Sequence, residues 1–292
     1  MTDRPVTVRE EPLVFACAGA ALVGILHRSA RPARRGVLIV VGGPQYRVGG
    51  HRQFIHLARD LAAAGIPTMR FDYRGMGDAE GDFPGFEATG PDIAAAIEAM
   101  VAHVPGLEEV VPWGLCDAAS AILFHAATDR RLPAIVLLNP WVRTDDGIAR
   151  AYIRHYYRDR LKDPAFWRKL ARGGLNPLRA LGSLLRLART GYGGGAHDDH
   201  TTCDGDQGPL PDRMAEGLAR FEGRVLLILS GRDLTAREFE DAVAASPRWR
   251  ALLDAERVTL RRLADADHTF SNRAWRDRVA LWTQDFVGGD GG

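Results

Sequence analysis

The chain reads as an α/β protein: a mostly parallel, twisted sheet of about eight strands with helices on both faces and one helical insertion. Three observations predict this. Short apolar, β-branched runs alternate with segments of helical period along most of the 292 residues. One of those runs, Glu109–Leu115, passes at once into small-x-Cys-x-small and a helix-like stretch. The alternation then breaks between Arg143 and Glu222 and resumes at Arg224.

Taken in order, Pro12–Cys17 and Ala20–His27 read as a strand pair around Ala18-Gly19, an antiparallel edge to the sheet. Gly36–Val41 is a continuous apolar run ending in Gly42-Gly43-Pro44, as a strand buried on both faces requires. Phe54–Ala64 has helical spacing and stops at Gly65, a good residue just past a helix end. Ile66–Tyr73 is the next strand and Pro91–Val104 the next helix, with Ile93, Ile97 and Val101 on one face. Glu109–Leu115 is a strand, Asp117–Thr128 a helix and Ala134–Asn139 a strand.

From Arg143 to Glu222 no strand is expected. Ile148–Leu161, Pro164–Arg172, Pro177–Arg189 and Leu210–Phe221 look helical, and Gly191–Gly208 reads as a Gly/Asp/His-rich loop. The α/β pattern returns with Arg224–Leu229 (strand), Glu238–Ala245 (helix), Arg257–Leu263 (strand) and Asn272–Val287 (helix), and Gly288–Gly292 should fray. The expected organisation is one core, residues 1–142 and 223–292, with a helical cap over residues 143–222.

Composition excludes several function classes. A 46% hydrophobic, 26% charged chain is ordinary for a soluble globular protein, and a net charge of +1 gives no global pull toward nucleic acid. Cys17, Cys116 and Cys203 are too few and too scattered for a disulfide framework or a zinc site. That usage fits a reducing compartment. The polar Met1–Glu11 segment is not a signal sequence and no 18-residue apolar stretch exists, so a cytoplasmic protein is expected. There is no Gly-Lys-Ser/Thr phosphate loop, and no GxGxxG opens a helix. His197, Asp198, Asp199 and His200 sit in the Gly-rich loop, where solvated side chains are a better reading than a metal site. No cofactor and no metal are expected.

The chemistry is concentrated at Gly114-Leu115-Cys116-Asp117-Ala118. A strand that turns sharply into a helix projects its middle residue from a strained corner, with small neighbours where backbone and helix meet. Cys116 is the candidate nucleophile. A thiol there needs a base, and the base needs an orienting acid. Asp233 follows the Val225–Leu229 strand and His268 follows the Val258–Leu263 strand, in the order nucleophile, acid, base. Parallel strands put their C-terminal ends on one sheet edge, so the three can converge. Asp265 and Asp267 are alternative acids, disfavoured by their closeness to His268 in sequence. The oxyanion hole should use the backbone N–H of Asp117 and one from the Gly42–Arg47 loop. Pro44 has none to donate, which makes Gln45 the second donor. A helix N-terminus and a nearby imidazolium should favour the Cys116 thiolate. Asp72 and Arg74 are expected to pair and brace the loops beneath the site.

Arg143 to Thr190 holds twelve Lys/Arg against four Asp/Glu, with Tyr152, Tyr156, Tyr157, Phe166 and Trp167 interleaved. Two readings fit: a solvated basic face, or a lid that attracts an anionic substrate, an acyl carrier or an anionic membrane surface.

These motifs together resemble the α/β-hydrolase superfamily over the whole chain. More narrowly, Val41–Arg47, Gly114–Ala118 and Asp163–Leu170 resemble the type-one hydrolase associated with exosortase A systems. The resemblance implies an α/β-hydrolase fold in a bacterial protein encoded beside exopolysaccharide and protein-sorting genes. It implies no particular substrate. Cys116 stands where the superfamily usually has Ser, as in dienelactone-type hydrolases, and Gly42-Gly43 stands where it often has His-Gly. The expected activity is hydrolysis of an ester or thioester on a small or carrier-linked acyl substrate. An acyltransferase on the same scaffold and a non-catalytic partner-binding protein are the alternatives.

Overall fold

A computed structural model describes residues 8–43, 45–142 and 208–289. The helices predicted over 148–161, 164–172 and 177–189, and the loop over 191–207, lie outside the described residues, as does the basic stretch they carry.

Eight strands form one sheet in the order β1-β2-β4-β3-β5-β6-β7-β8. They are β1 (Arg9–Cys17), β2 (Ala20–Arg28), β3 (Arg35–Val40), β4 (Thr68–Phe71), β5 (Glu109–Leu115), β6 (Ala134–Leu138), β7 (Arg224–Ser230) and β8 (Val258–Leu263). β1 pairs antiparallel with β2, and β2 antiparallel with β4; every pairing from β4 onward is parallel. The opening hairpin is thus the antiparallel edge that its two short runs imply.

The parallel strands are apolar at almost every position because both faces are covered. Leu38, Val40, Val110, Leu137 and Leu227 face one core, and Val37, Ile39, Val111, Val136 and Leu226 the other. Four helices cover the first face: α2 (Gly90–His103), α3 (Asp117–His125), α4 (Leu210–Arg220) and α5 (Leu234–Ala245), with the short α6 (Pro247–Leu253) beside them. Two cover the second: α1 (Gln53–Ala63), through Phe54, Leu57, Ala58 and Leu61, and α7 (Arg273–Gly288), through Val279, Ala280 and Val287.

Three details depart from the expected pattern. The sequence pattern places α4 with the cap, but its Met214, Ala215 and Leu218 are buried in the same cluster as Ala118, Ile122 and Leu123 of α3. Described residues up to Val142 and from Leu210 onward form one compact unit, so the core resumes at Leu210 and not at residue 223. α5 starts four residues earlier than its apolar period indicates, because Asp233 caps it. α6 was not foreseen; Ser246 caps it by accepting from Trp249 N, and Trp249 is buried against Phe239 with ring centroids 5.3 Å apart.

Beneath the antiparallel edge lies a buried arginine–histidine pair. Arg70 donates through Nε to His27 Nε2 at 2.9 Å, and both side chains are out of solvent. That geometry requires a neutral imidazole, since a protonated ring would set N–H against N–H. Burial first, then repulsion by Arg70, pushes the His27 pKa down to about 4, although Glu10 pulls the other way from 3.9 Å. A histidine with a depressed native pKa binds its proton later than the unfolded chain does. Stability should therefore fall as pH drops from about 6.5 to about 4, by about 3 kcal/mol from this group. His27→Gln, which keeps an acceptor for Arg70, should flatten that acid limb in urea titrations. An acid limb of unchanged slope in the variant would assign it to other groups.

Candidate active site

Cys116 sits between the last residue of β5 and the first of α3 with φ 65° and ψ −128°. Few residues other than glycine adopt such a φ, and holding one costs about 1–3 kcal/mol. Four hydrogen bonds hold it. Cys116 N donates to Leu138 O at 2.9 Å. Cys116 O accepts from Ala119 N at 3.0 Å, Trp141 N at 3.2 Å and Ser120 N at 3.4 Å. Ser120 Oγ closes the ring by donating to Trp141 O at 2.7 Å. Gly114 is required beneath the corner, because a Cβ there would lie 2.7 Å from Ile122 Cδ1 and 2.9 Å from the Ala118 carbonyl carbon. The sulfur-bearing residue is partly exposed, whereas the strand before it is buried.

Asp233 and His268 meet. His268 Nδ1 lies 2.9 Å from Asp233 Oδ2. Asp233 is 7% exposed, and both its oxygens also cap α5: Oδ1 accepts from Thr235 N at 3.2 Å and Oδ2 from Ala236 N at 3.1 Å. Capping fixes the carboxylate rotamer that the histidine uses. An ionised carboxylate only accepts, so the ring proton belongs on Nδ1 and Nε2 keeps its lone pair. The two alternative acids are otherwise placed. Asp265 is exposed, and Asp267 accepts from Ser271 N at 2.9 Å and from Ser271 Oγ. Burial pushes the Asp267 carboxyl up, but the Ser271 bonds outweigh it and hold it below the usual range.

Asn139, which no motif marks, ties these parts together. It follows β6 with φ 43° and is fully buried. Its Nδ2 donates to Ser230 Oγ at 2.9 Å and to His268 O at 3.1 Å, and its Oδ1 accepts from Ser230 N at 2.9 Å. Ser230 Oγ in turn donates to Asp267 O at 2.9 Å. The ends of β6 and β7 thus carry the histidine loop, and the neighbouring Leu138 carries the elbow. A lone polar residue after the wholly apolar run Ala134–Leu138 is the signal that could have flagged it.

The loop after β3 is held by charge. Asp72, fully buried, accepts from Arg47 N at 2.7 Å, from Asp78 N at 3.1 Å and from the Arg47 guanidinium, which also reaches Asp78 at 2.5 Å. Arg70 Nη1 donates to Arg47 O at 2.9 Å. The expected Asp72–Arg74 pair is not formed. Arg74 instead makes a two-pronged pair with Asp92 at 3.0 and 2.8 Å, because the turn after β4 points it toward α2. Gln45 sits in the clamped loop, its Oε1 accepting from Gly50 N at 3.0 Å. Gly43 N donates to Asp117 Oδ1 at 2.6 Å. Burial pushes the Asp117 carboxyl up, against the pull of the Gly43 and Ala118 amides, its own N–H and the charge of His268.

Among the described residues no group of three His, Cys, Asp or Glu lies together as a metal would need, and no helix is long and apolar enough to cross a membrane. His197 and His200 lie outside those residues.

No family model matches the chain, and no curated protein sequence does. Solved structures are similar over nearly its full length. The Pyrococcus furiosus esterase Pf2001 superposes with a TM-score of 0.64 at 12% identity, covering 97% of this chain and 91% of that one. A dienelactone hydrolase from Anabaena variabilis gives 0.59 at 15%, covering 97% and 98%. Est1E from Butyrivibrio proteoclasticus, with ferulic acid bound, gives 0.60 at 15%, covering 95% and 98%. With strand order, register and this likeness in agreement, the chain has the α/β-hydrolase fold.

Two measurements test the site. Cys17 is buried, and desolvation, then Asp92, pushes its thiol pKa up. Iodoacetamide should therefore label Cys116 at least ~10-fold faster than Cys17, by peptide mapping. Equal rates would mean the elbow gives its thiol no advantage. Asn139→Ala removes three hydrogen bonds, two of them buried, and should cost about 2–4 kcal/mol in urea unfolding. A loss below about 0.5 kcal/mol would show that the network does not hold the sheet edge.

Proposed function

We propose that the protein is a cysteine-dependent hydrolase of an ester or thioester. One observation carries the reading. A cysteine is held at positive φ on a helix N-terminus, on the same sheet edge as a half-buried histidine whose Nδ1 is bonded to the buried Asp233, which leaves Nε2 as the base.

His268 Nε2 takes the Cys116 proton while Asp233 steadies the resulting imidazolium. The sulfur pair attacks the acyl carbon, and the carbonyl π pair moves onto oxygen. The backbone N–H groups of Asp117 and Gln45 receive that oxyanion. Its collapse expels the leaving alkoxide or thiolate, which takes the proton from His268. Water, deprotonated by His268, then attacks the thioester, and collapse returns Cys116 and the free acid. Each bond made has a matching bond broken, and no metal or organic cofactor enters.

The same reading extends to setting. The resemblance of Val41–Arg47 and Gly114–Ala118 to the exosortase-associated hydrolases supports a role beside exopolysaccharide synthesis in a bacterial cytoplasm. The basic stretch of residues 143–190 favours an anionic acyl substrate, free or carrier-linked.

Intact-mass labelling with activated esters, thioesters and lactones tests the mechanism. Wild type should take up one acyl group that maps to Cys116, and Cys116→Ala none. His268→Ala should slow acylation by about 10²–10⁴-fold. A Cys116→Ala enzyme that still turns over every substrate of the wild type would sink the proposal.

A further inference from the structure

Two features of the site belong together. Gly42-Gly43 ends the loop entry after β3, and an acidic residue, Asp117, follows the nucleophile. A Cβ on Gly42 would land on Asp117 Oδ1 and on the carbonyl oxygen of Leu115, and 2.9 Å from Ala118 N. The carboxylate occupies the volume that a side chain at position 42 would need. Gly43, at φ 61°, turns its N–H onto the same oxygen at 2.6 Å. This bond joins the first residue of α3 to the loop that carries Gln45. It also withdraws the Gly43 N–H from the oxyanion, and Pro44 has none.

On the hydrolase reading above, we propose that the Asp117 side chain is a positioning residue. It locks Gly43 to the elbow so that the loop holds Gln45 N in place as the second oxyanion donor. The useful property is the acceptor oxygen and not the negative charge, which lies next to the developing oxyanion and opposes it. Asn at position 117 keeps the acceptor and removes the charge; Ala removes both. The backbone N–H of residue 117 survives in each.

Acylation rate, KM, Cys116 alkylation and amide exchange of the 41–47 peptide, measured on wild type, Asp117→Asn and Asp117→Ala, test this. Asp117→Ala should acylate at least ~10-fold more slowly at similar KM, and its 41–47 peptide should exchange ~10-fold faster, the equilibrium worth of one hydrogen bond. Asp117→Asn should restore both toward wild type. Alkylation by iodoacetamide, a displacement that forms no oxyanion, should change less than about threefold in either variant. If Asp117→Ala does not fold, Asp117→Ser, too short to reach Gly43, takes its place. Acylation in Asp117→Ala equal to or faster than wild type overturns the proposal, the faster case making the carboxylate a competitor for the oxyanion site. So does an Asp117→Asn enzyme as slow as Asp117→Ala. If wild type takes up no acyl group from any probe, the hydrolase reading fails, and the exchange arm alone decides whether Asp117 holds the loop.

Discussion

The elbow at this sheet edge depends on one backbone angle, the positive φ of Cys116. Unsupported, that corner would relax and carry the thiol away from the helix N-terminus. It persists because its N–H and C=O are bonded to β6 and to Trp141 beyond it, and to α3 ahead of it. The small residues around it follow from the same requirement. Gly114 lets α3 approach the strand, and Ala118, almost fully buried, packs into the space that approach leaves. The strain is local, but the elements that sustain it are β6, the segment after it and α3.

The parallel arrangement then does for the histidine what the elbow does for the cysteine. Strands β6, β7 and β8 end together, so short loops from each can be cross-linked by few groups. Asn139 and Ser230 make those links with side chains that have little conformational entropy to lose. Asp233 serves two structures with the same oxygens, capping α5 and receiving His268 Nδ1. A residue that caps a helix cannot drift without fraying it, so the orientation of the imidazole is tied to the stability of α5. The loop after β3 is anchored differently, by the buried Asp72 on Arg47 and by Arg70 on the Arg47 carbonyl. Buried charges such as these are costly unless fully bonded, and here the bonds run to the backbone of the loop after β3.

Much of this was legible in the residues. Continuous apolar runs marked the strands because a strand covered on both faces has no polar side. Cys116 stood out because few local structures need small-x-Cys-x-small after such a run. Asp233 and His268 were marked as candidates by their order along the chain, each just past a strand. What escaped notice was non-local. The partner of Asp72 is Arg47, 25 positions earlier, and not Arg74, two positions later. Asn139 reads in the sequence as the last residue of the strand Ala134–Asn139. Leu210–Phe221 looked like one more helix of the insertion, since amphipathic period tells that a face is buried but not against what.

The sequence by itself determined the sheet class, the elbow, and the chemical identity of the groups that crowd one sheet edge. These are local matters of periodicity, glycine placement and residue type. Only the tertiary structure decided the strand order with β4 between β2 and β3, the partners of Asp72 and Arg74, that Asn139 links the loops, and that Asp117 turns inward onto Gly43. Those outcomes rest on hydrogen bonds between residues far apart in the chain. Their partners are selected by the competition for burial and bonding in the folded molecule, which no local pattern records.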